Sequence, residues 1–240
     1  DENYIVFDPA GGSGNLVSSW RGKLKHKIIS ELQPDLLRTI ERRMKVDPFH
    51  IETGFTIIPR TSENTGLNFL DRSATDYLNT LRNELALKNI AMDKPIAFLL
   101  NPPYNNTDEN EKAREGKEAD YGIHPSIIEL TGEDAGKERY LGFLAQITNI
   151  ANEQVRENES LAPVVMIFTP TSWLIPRPTY KTFREKWDQH FQFHSGFLIT
   201  SNEFFKLQGT WPLAFTIWNY NYNEEGNNNK VELHDLTLLK

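Results

Sequence analysis

An α/β fold, with a mainly parallel sheet, helices on both faces and an antiparallel edge, follows from three features of this 240-residue sequence. Short apolar runs alternate with stretches at helical spacing, the pattern of consecutive βαβ units. The runs are apolar throughout rather than alternating, as strands buried on both faces are. Near the C-terminus, two strand-like runs (193–200 and 213–222) are joined by the loop EFFKLQGTWP with no helix between them, so they pair antiparallel at one edge.

The elements justify themselves in order. YIVF (4–7) is a strand leading into DPAGGSGNL, where three glycines and a proline bar regular structure. Leu16, Val17 and Trp20 then fall at helical spacing, and KIIS (27–30) is a second strand ended by Glu31. Pro34 suits the first turn of a helix, and Leu36, Leu37, Ile40 and Met44 share one face of it. FTII (55–58) reads as a strand and RTSENTG as a loop. A helix is expected over 76–92 with Tyr77, Leu81 and Leu85 inward, followed by the buried strand IAFLL (96–100). Residues 105–139 hold ten acids against five bases and read as an exposed, mobile insertion. Leu141, Leu144, Ile147, Ala151 and Val155 mark a helix, VVMIF (164–168) a strand, and Phe183, Trp187 and Phe191 another helix. VELHDL (231–236) is a candidate last strand.

Composition excludes several classes of function. The chain has no Cys, hence no disulfide, thiol nucleophile or thiolate metal site. Its six His lie at no metal-ligand spacing, so no metal is expected. No apolar run approaches the roughly 18 residues of a membrane span, and DENYIVFD has no signal-peptide pattern. A net charge of −7 speaks against a broad basic nucleic-acid surface. The start at Asp, just before a strand, suggests a piece of a longer protein, with one domain over 1–240.

Two short stretches carry chemistry. DPAGGSGNL (8–16) follows a strand and opens a helix, the context of a nucleotide-binding glycine loop. Gly11, Gly12 and Gly14 permit close backbone approach. Glu31 lies 17 residues beyond Gly14, near the spacing of about 20 for an acid that takes ribose hydroxyls. No Gly-Lys-Ser/Thr follows, so the loop is not a Walker-type phosphate cradle. The second stretch is NPPY (101–104), which places an amide, two φ-locked prolines and a tyrosine at the end of a buried strand. Taken separately, a structural turn and a rigid strand exit are the plain alternatives.

Together these stretches resemble the S-adenosylmethionine-dependent adenine-N6 DNA methyltransferases of restriction–modification systems, with the cofactor loop ahead of NPPY as in the gamma-type order. The resemblance implies the class I methyltransferase fold, a Rossmann-like seven-stranded sheet, and S-adenosyl-L-methionine as cofactor. It implies that Asp8, Pro9, Ala10, Gly11, Gly12 and Gly14 surround the cofactor, with Asp8 near its methionine end and Glu31 on its ribose. At the family's Asp-Phe position beside the cofactor adenine stand Asn68 and Phe69, or Asp71 if the register slips. Asn101 and the Pro102 carbonyl would accept hydrogen bonds from the exocyclic amine of a flipped adenine, with Pro103 stiffening the turn and Tyr104 stacking on the base. PTSWL (170–174) is similar to the family's segment after the fifth strand. Phe205 is the best match for a second stacking aromatic, with Phe204 the alternative. The family's segment ahead of the first motif and its recognition domain, which would follow residue 240, are expected in other parts of the longer protein. DNA contacts are therefore expected mainly from flanking parts, and a bacterial cytoplasmic setting is implied. Methylation of RNA adenine or protein glutamine, or a non-catalytic cofactor-binding fragment, remain open alternatives.

Overall fold

The computed structural model describes residues 3–21, 26–58, 66–104, 122–136, 138–175, 177–201 and 211–230. In chain order the elements are β1 (Ile5–Asp8), α1 (Asn15–Ser19), β2 (Lys27–Ser30), α2 (Pro34–Val46), α3 (Pro48–Thr53), β3 (Thr56–Ile58) and α4 (Ala74–Ala86). They continue with β4 (Ile96–Leu100), α5 (Pro125–Gly136), α6 (Arg139–Glu157), β5 (Val164–Pro170), α7 (Pro178–His190), β6 (Phe191–Thr200) and β7 (Pro212–Tyr220).

The seven strands form one sheet in the order β3-β2-β1-β4-β5-β7-β6. The first five pair in parallel, whereas β7 runs antiparallel to both β5 and β6. The β6–β7 pair is the antiparallel edge that the two late runs announce.

Alternate residues of each central strand enter different cores, which is why these strands are apolar throughout. Ile5, Phe7, Ile96, Phe98, Leu100, Val165 and Ile167 face the larger core, closed by Tyr77, Leu81 and Leu85 of α4, Leu141 and Leu144 of α6, and Phe183 and Trp187 of α7. Val6, Ala97 and Leu99 face the other way, towards Leu16 and Trp20 beside α1. Next to them Val17, Ile29, Ile40 and Met44 join α1 and α2 to β2. Helices therefore cover both faces, and no described helix is long and apolar enough to cross a membrane.

The structure corrects four details. The helix expected over 76–92 runs Ala74–Ala86: the Ser73 hydroxyl accepts from the Asp76 N–H at its start, and Asn89 takes a left-handed conformation (φ 56°) beyond its end. Phe191 is not in a helix but opens β6, where it still stacks on Trp187 with ring centroids 4.1 Å apart. The acidic stretch is not all exposed insertion: Pro125–Gly136 forms α5, broken at Gly132 (φ 72°), and buries Ile127 and Thr131. Leu36, expected on the inner face of α2, is only half-buried beside buried Leu37, Ile40 and Met44. Residues 105–121 and VELHDL (231–236) lie outside the described residues.

Candidate active site

From β1 the strand order runs outward one way through β2 and β3 and the other way through β4 and β5. The loops after β1 and β4 therefore diverge and leave a crevice at the carboxyl ends of the strands, the general ligand position in such sheets. Phe7 of β1 lies opposite Phe98 of β4, and Asp8 opposite Ile29 of β2. The glycine loop and the NPPY turn thus leave adjacent strands at the same end of the sheet.

The glycine loop is shaped by hydrogen bonds to its neighbours. Asp8 ends β1 at 1% exposure, and its carboxylate accepts from the Ala10 N–H (3.0 Å). Burial pushes the Asp8 carboxyl up from 3.8 to about 7; the Ala10 bond opposes this shift and the charge of Glu31 adds to it. Pro9 is buried and Ala10 packs against the larger core. The Gly11 N–H donates to the Ser30 carbonyl (2.9 Å), and the Gly14 N–H to the Gly11 carbonyl (2.7 Å). Gly12 and Gly14 have φ of 54° and 78°, which favour glycine at both. A Cβ on Gly12 would meet nothing within 4 Å, so the loop leaves open space above that residue.

Glu31 joins this loop to the end of β2. One carboxylate oxygen accepts from the Gly12 N–H (2.7 Å), the other from the Leu32 and Gln33 N–H groups (2.9 and 3.0 Å). Two carboxylate oxygens offer about four acceptor positions, so capacity remains for a hydroxyl of a bound ligand.

The NPPY turn sits across the crevice. Asn101 is half-buried, Pro102 buried, Pro103 exposed and Tyr104 half-buried. The Tyr104 hydroxyl donates to Asn101 Oδ1. Burial holds that hydroxyl above the usual tyrosine range, so it stays protonated at neutral pH. The Tyr104 ring meets Tyr140 edge-on, centroids 6.4 Å apart.

Other expected site residues are placed less directly. Asn68 is half-buried, and its side-chain oxygen accepts from the Leu70 N–H (2.9 Å). Phe69 belongs to the larger core, 2% exposed, stacked on Phe143 (5.1 Å) and edge-on to Tyr77 (5.0 Å). Asp71 is exposed and paired with Arg72 (2.9 Å). PTSWL becomes the end of β5 and a tight turn (Thr171–Leu174) with Trp173 buried. Phe204 and Phe205 lie outside the described residues.

Two contributors carry no motif. Gly66 donates its N–H to the Leu32 carbonyl (2.9 Å), and a Cβ there would meet the Glu31 and Leu32 carbonyl oxygens at 2.1 and 2.2 Å. Arg43 of α2 reaches the Ser13 carbonyl (3.0 Å) and the Asn15 side chain, tying down the far side of the glycine loop. Their only sequence signals are a glycine closing a polar loop and a cation on the outer face of a helix, and neither identifies its partner.

No protein-family profile matches this chain, and no curated protein matches it. Solved structures do share its fold. A Listeria monocytogenes protein described as a class I S-adenosylmethionine-dependent methyltransferase aligns with TM-score 0.52 and 12% identity, over 96% of this chain and 58% of its own. DrdV in complex with DNA aligns with TM-score 0.52 and 16% identity, over 95% of this chain and 24% of its own. A Vibrio vulnificus protein described as the modification subunit of a type I restriction enzyme aligns at 0.48 and 13%, over 93% and 41%. The chain thus spans 58% and 24% of the first two, and the likeness is one of fold. The fold is that of the class I methyltransferases.

Proposed function

We propose that this chain is the catalytic domain of an S-adenosylmethionine-dependent methyltransferase that modifies the exocyclic N6 of a flipped adenine in DNA, within a restriction–modification or phage-defence system. One observation carries the reading: the glycine loop with its carboxylates and the NPPY turn leave the adjacent parallel strands β1 and β4 at the same end of the sheet. The donor set suits the cofactor. Asp8 offers a carboxylate to a cationic ligand end, Glu31 an acceptor to ribose hydroxyls, and Gly12 the open space.

When bound, the cofactor supplies an electrophilic methyl group on a sulfonium. The chain's own residues prepare the nucleophile. Adenine N6 is a weak nucleophile because its lone pair is delocalised into the ring. Asn101 Oδ1 and the Pro102 carbonyl accept its two N–H bonds and favour a pyramidal nitrogen. The prolines hold both acceptors in place beforehand, so little reorganisation is needed during the reaction. Tyr104 gives the extruded base a face to stack on. The chain would form no covalent intermediate: its part would be to hold and orient the amine, and the proton that N6 gives up on methylation would pass to bulk water.

The DNA-bound neighbour agrees with a DNA substrate. With a net charge of −7 on this chain, the reading expects phosphate contacts mainly from flanking parts of a longer protein. The deciding experiment offers the intact protein tritiated cofactor with duplex DNA, RNA and release-factor protein in parallel. Label in DNA N6-methyladenine is the expected result. Label only in RNA or in protein glutamine moves the reading to those substrates, and no transfer with intact cofactor binding leaves a binding domain.

A further inference from the structure

A side-chain carboxamide has two ends of nearly equal shape and opposite hydrogen-bonding sense. For Asn101 this matters: turned over, it would point an N–H group at the substrate amine instead of an acceptor. The strand end and the two prolines fix the backbone but not this choice. Tyr104 does, because its hydroxyl donates to Asn101 Oδ1. It has no other hydrogen-bond partner among the described residues. Accepting from Asn101 Nδ2 instead would leave its own proton without a partner among the described residues, so donation to the oxygen is the favoured arrangement. The carbonyl oxygen keeps a second lone pair for the substrate.

The tyrosine is itself held. Its ring packs against the larger core and meets the edge of Tyr140, which is 1% exposed. The Tyr140 hydroxyl lies 3.1 Å from Ser172 Oγ in the turn after β5. Beside it, the Tyr180 hydroxyl donates to Glu138 ahead of α6 (2.5 Å). The orientation of Asn101 is thus referred back through Tyr104 and Tyr140 to parts of the chain remote in sequence.

We propose that the Tyr104 hydroxyl is a positioning group for Asn101, fixing the amide with its oxygen towards the substrate, separately from the stacking role of the ring. This rests on the methyl-transfer reading above. The test uses the intact protein and compares wild type, Tyr104→Phe, Asn101→Asp and the double variant. The readouts are single-turnover methyl transfer, cofactor affinity, and the fluorescence of 2-aminopurine at the target base. Tyr104→Phe keeps the ring and removes the hydroxyl. It is expected to slow transfer about tenfold, the scale of one hydrogen bond, with cofactor affinity and base flipping unchanged. Asp presents an acceptor whichever way it turns, so in the Asn101→Asp background the same exchange should change the rate by less than about twofold.

The proposal is overturned if Tyr104→Phe transfers at the wild-type rate, if base flipping falls in step with the rate, or if the loss persists in the Asn101→Asp background. Should Asn101→Asp be too slow to measure, the rate and flipping of Tyr104→Phe decide alone. Failure of the underlying reading shows separately, as wild-type protein that leaves adenine unmethylated.

Discussion

The two loops that flank the crevice are built in opposite ways. The glycine loop is held by backbone N–H groups: Gly12 donates to Glu31, Ala10 to Asp8 and Gly11 to the Ser30 carbonyl. Its shape needs the absence of side chains, and its acidic groups are Asp8 and Glu31. The NPPY turn is held by side chains, with rings that lock φ and a hydroxyl that grips an amide. A glycine loop can follow the contour of a large ligand because its backbone comes close. A proline turn cannot adapt, and it offers fixed acceptors to one small group. Under the proposed function, cofactor affinity would rest on the first loop and reaction rate on the second.

Changes at either loop should break that division in different ways. The largest effect is expected from Asn101→Ala, a loss in transfer rate of about a hundredfold or more with cofactor affinity within about twofold. Calorimetry beside a rate assay checks it, and a parallel fall in affinity would merge the two roles. On the cofactor side, Gly66→Ala forces a Cβ onto two carbonyl oxygens of the Glu31 corner. It should cost about 1–3 kcal/mol in urea unfolding and weaken cofactor binding. Gly12→Ala meets no atom and pays only for its left-handed φ of 54°, about 1 kcal/mol. If the two alanine variants are equally destabilised, close packing against Gly66 is not what shapes the corner.

Glu31→Gln keeps the size of the side chain and removes its charge. Cofactor affinity should fall about tenfold, through weaker bonds to Gly12 and to the ribose, with little change in rate at saturating cofactor. A rate loss that saturation does not restore would sink this assignment.

The smallest effect concerns Asp8. The unfolded chain releases this proton near pH 3.8 and the folded chain near 7. Between these values the folded state binds more protons, so the Asp8 contribution to stability declines as pH rises from about 4 to 7. Urea midpoints across that range should fall more steeply in wild type than in Asp8→Asn; equal slopes would show that Asp8 is ionised at neutral pH.

Legibility in the sequence followed locality. KIIS and IAFLL match β2 and β4 residue for residue, because continuous apolar runs between charged residues and prolines have few other solutions. Helix α4 ends at Ala86, short of the expected 92, because Asn89 turns left-handed just beyond it, which the spacing of Tyr77, Leu81 and Leu85 does not announce. Helix α5 is hidden in the sequence by charge, since the ten acids of 105–139 outweigh the few apolar residues such as Ile127 that it buries. In the site, Asp8 to Gly14 and Asn101 to Tyr104 could be read because each set is contiguous. Gly66, Arg43 and Tyr140 could not, because each matters only for what it touches.

The sequence by itself determined the alternation of strands and helices, the glycine loop, the rigid amide turn and the absence of thiol chemistry, since all are properties of neighbouring residues. Tertiary structure decided the strand order and hence that β1 and β4 lie side by side, which turns two distant loops into one crevice. It also decided which oxygen or N–H each polar side chain meets, as with Glu31 on Gly12 and Tyr104 on Asn101. The reason is range: backbone propensity and hydrophobic period act over a few residues, whereas a hydrogen bond between residues nineteen apart exists only once the sheet has brought them together.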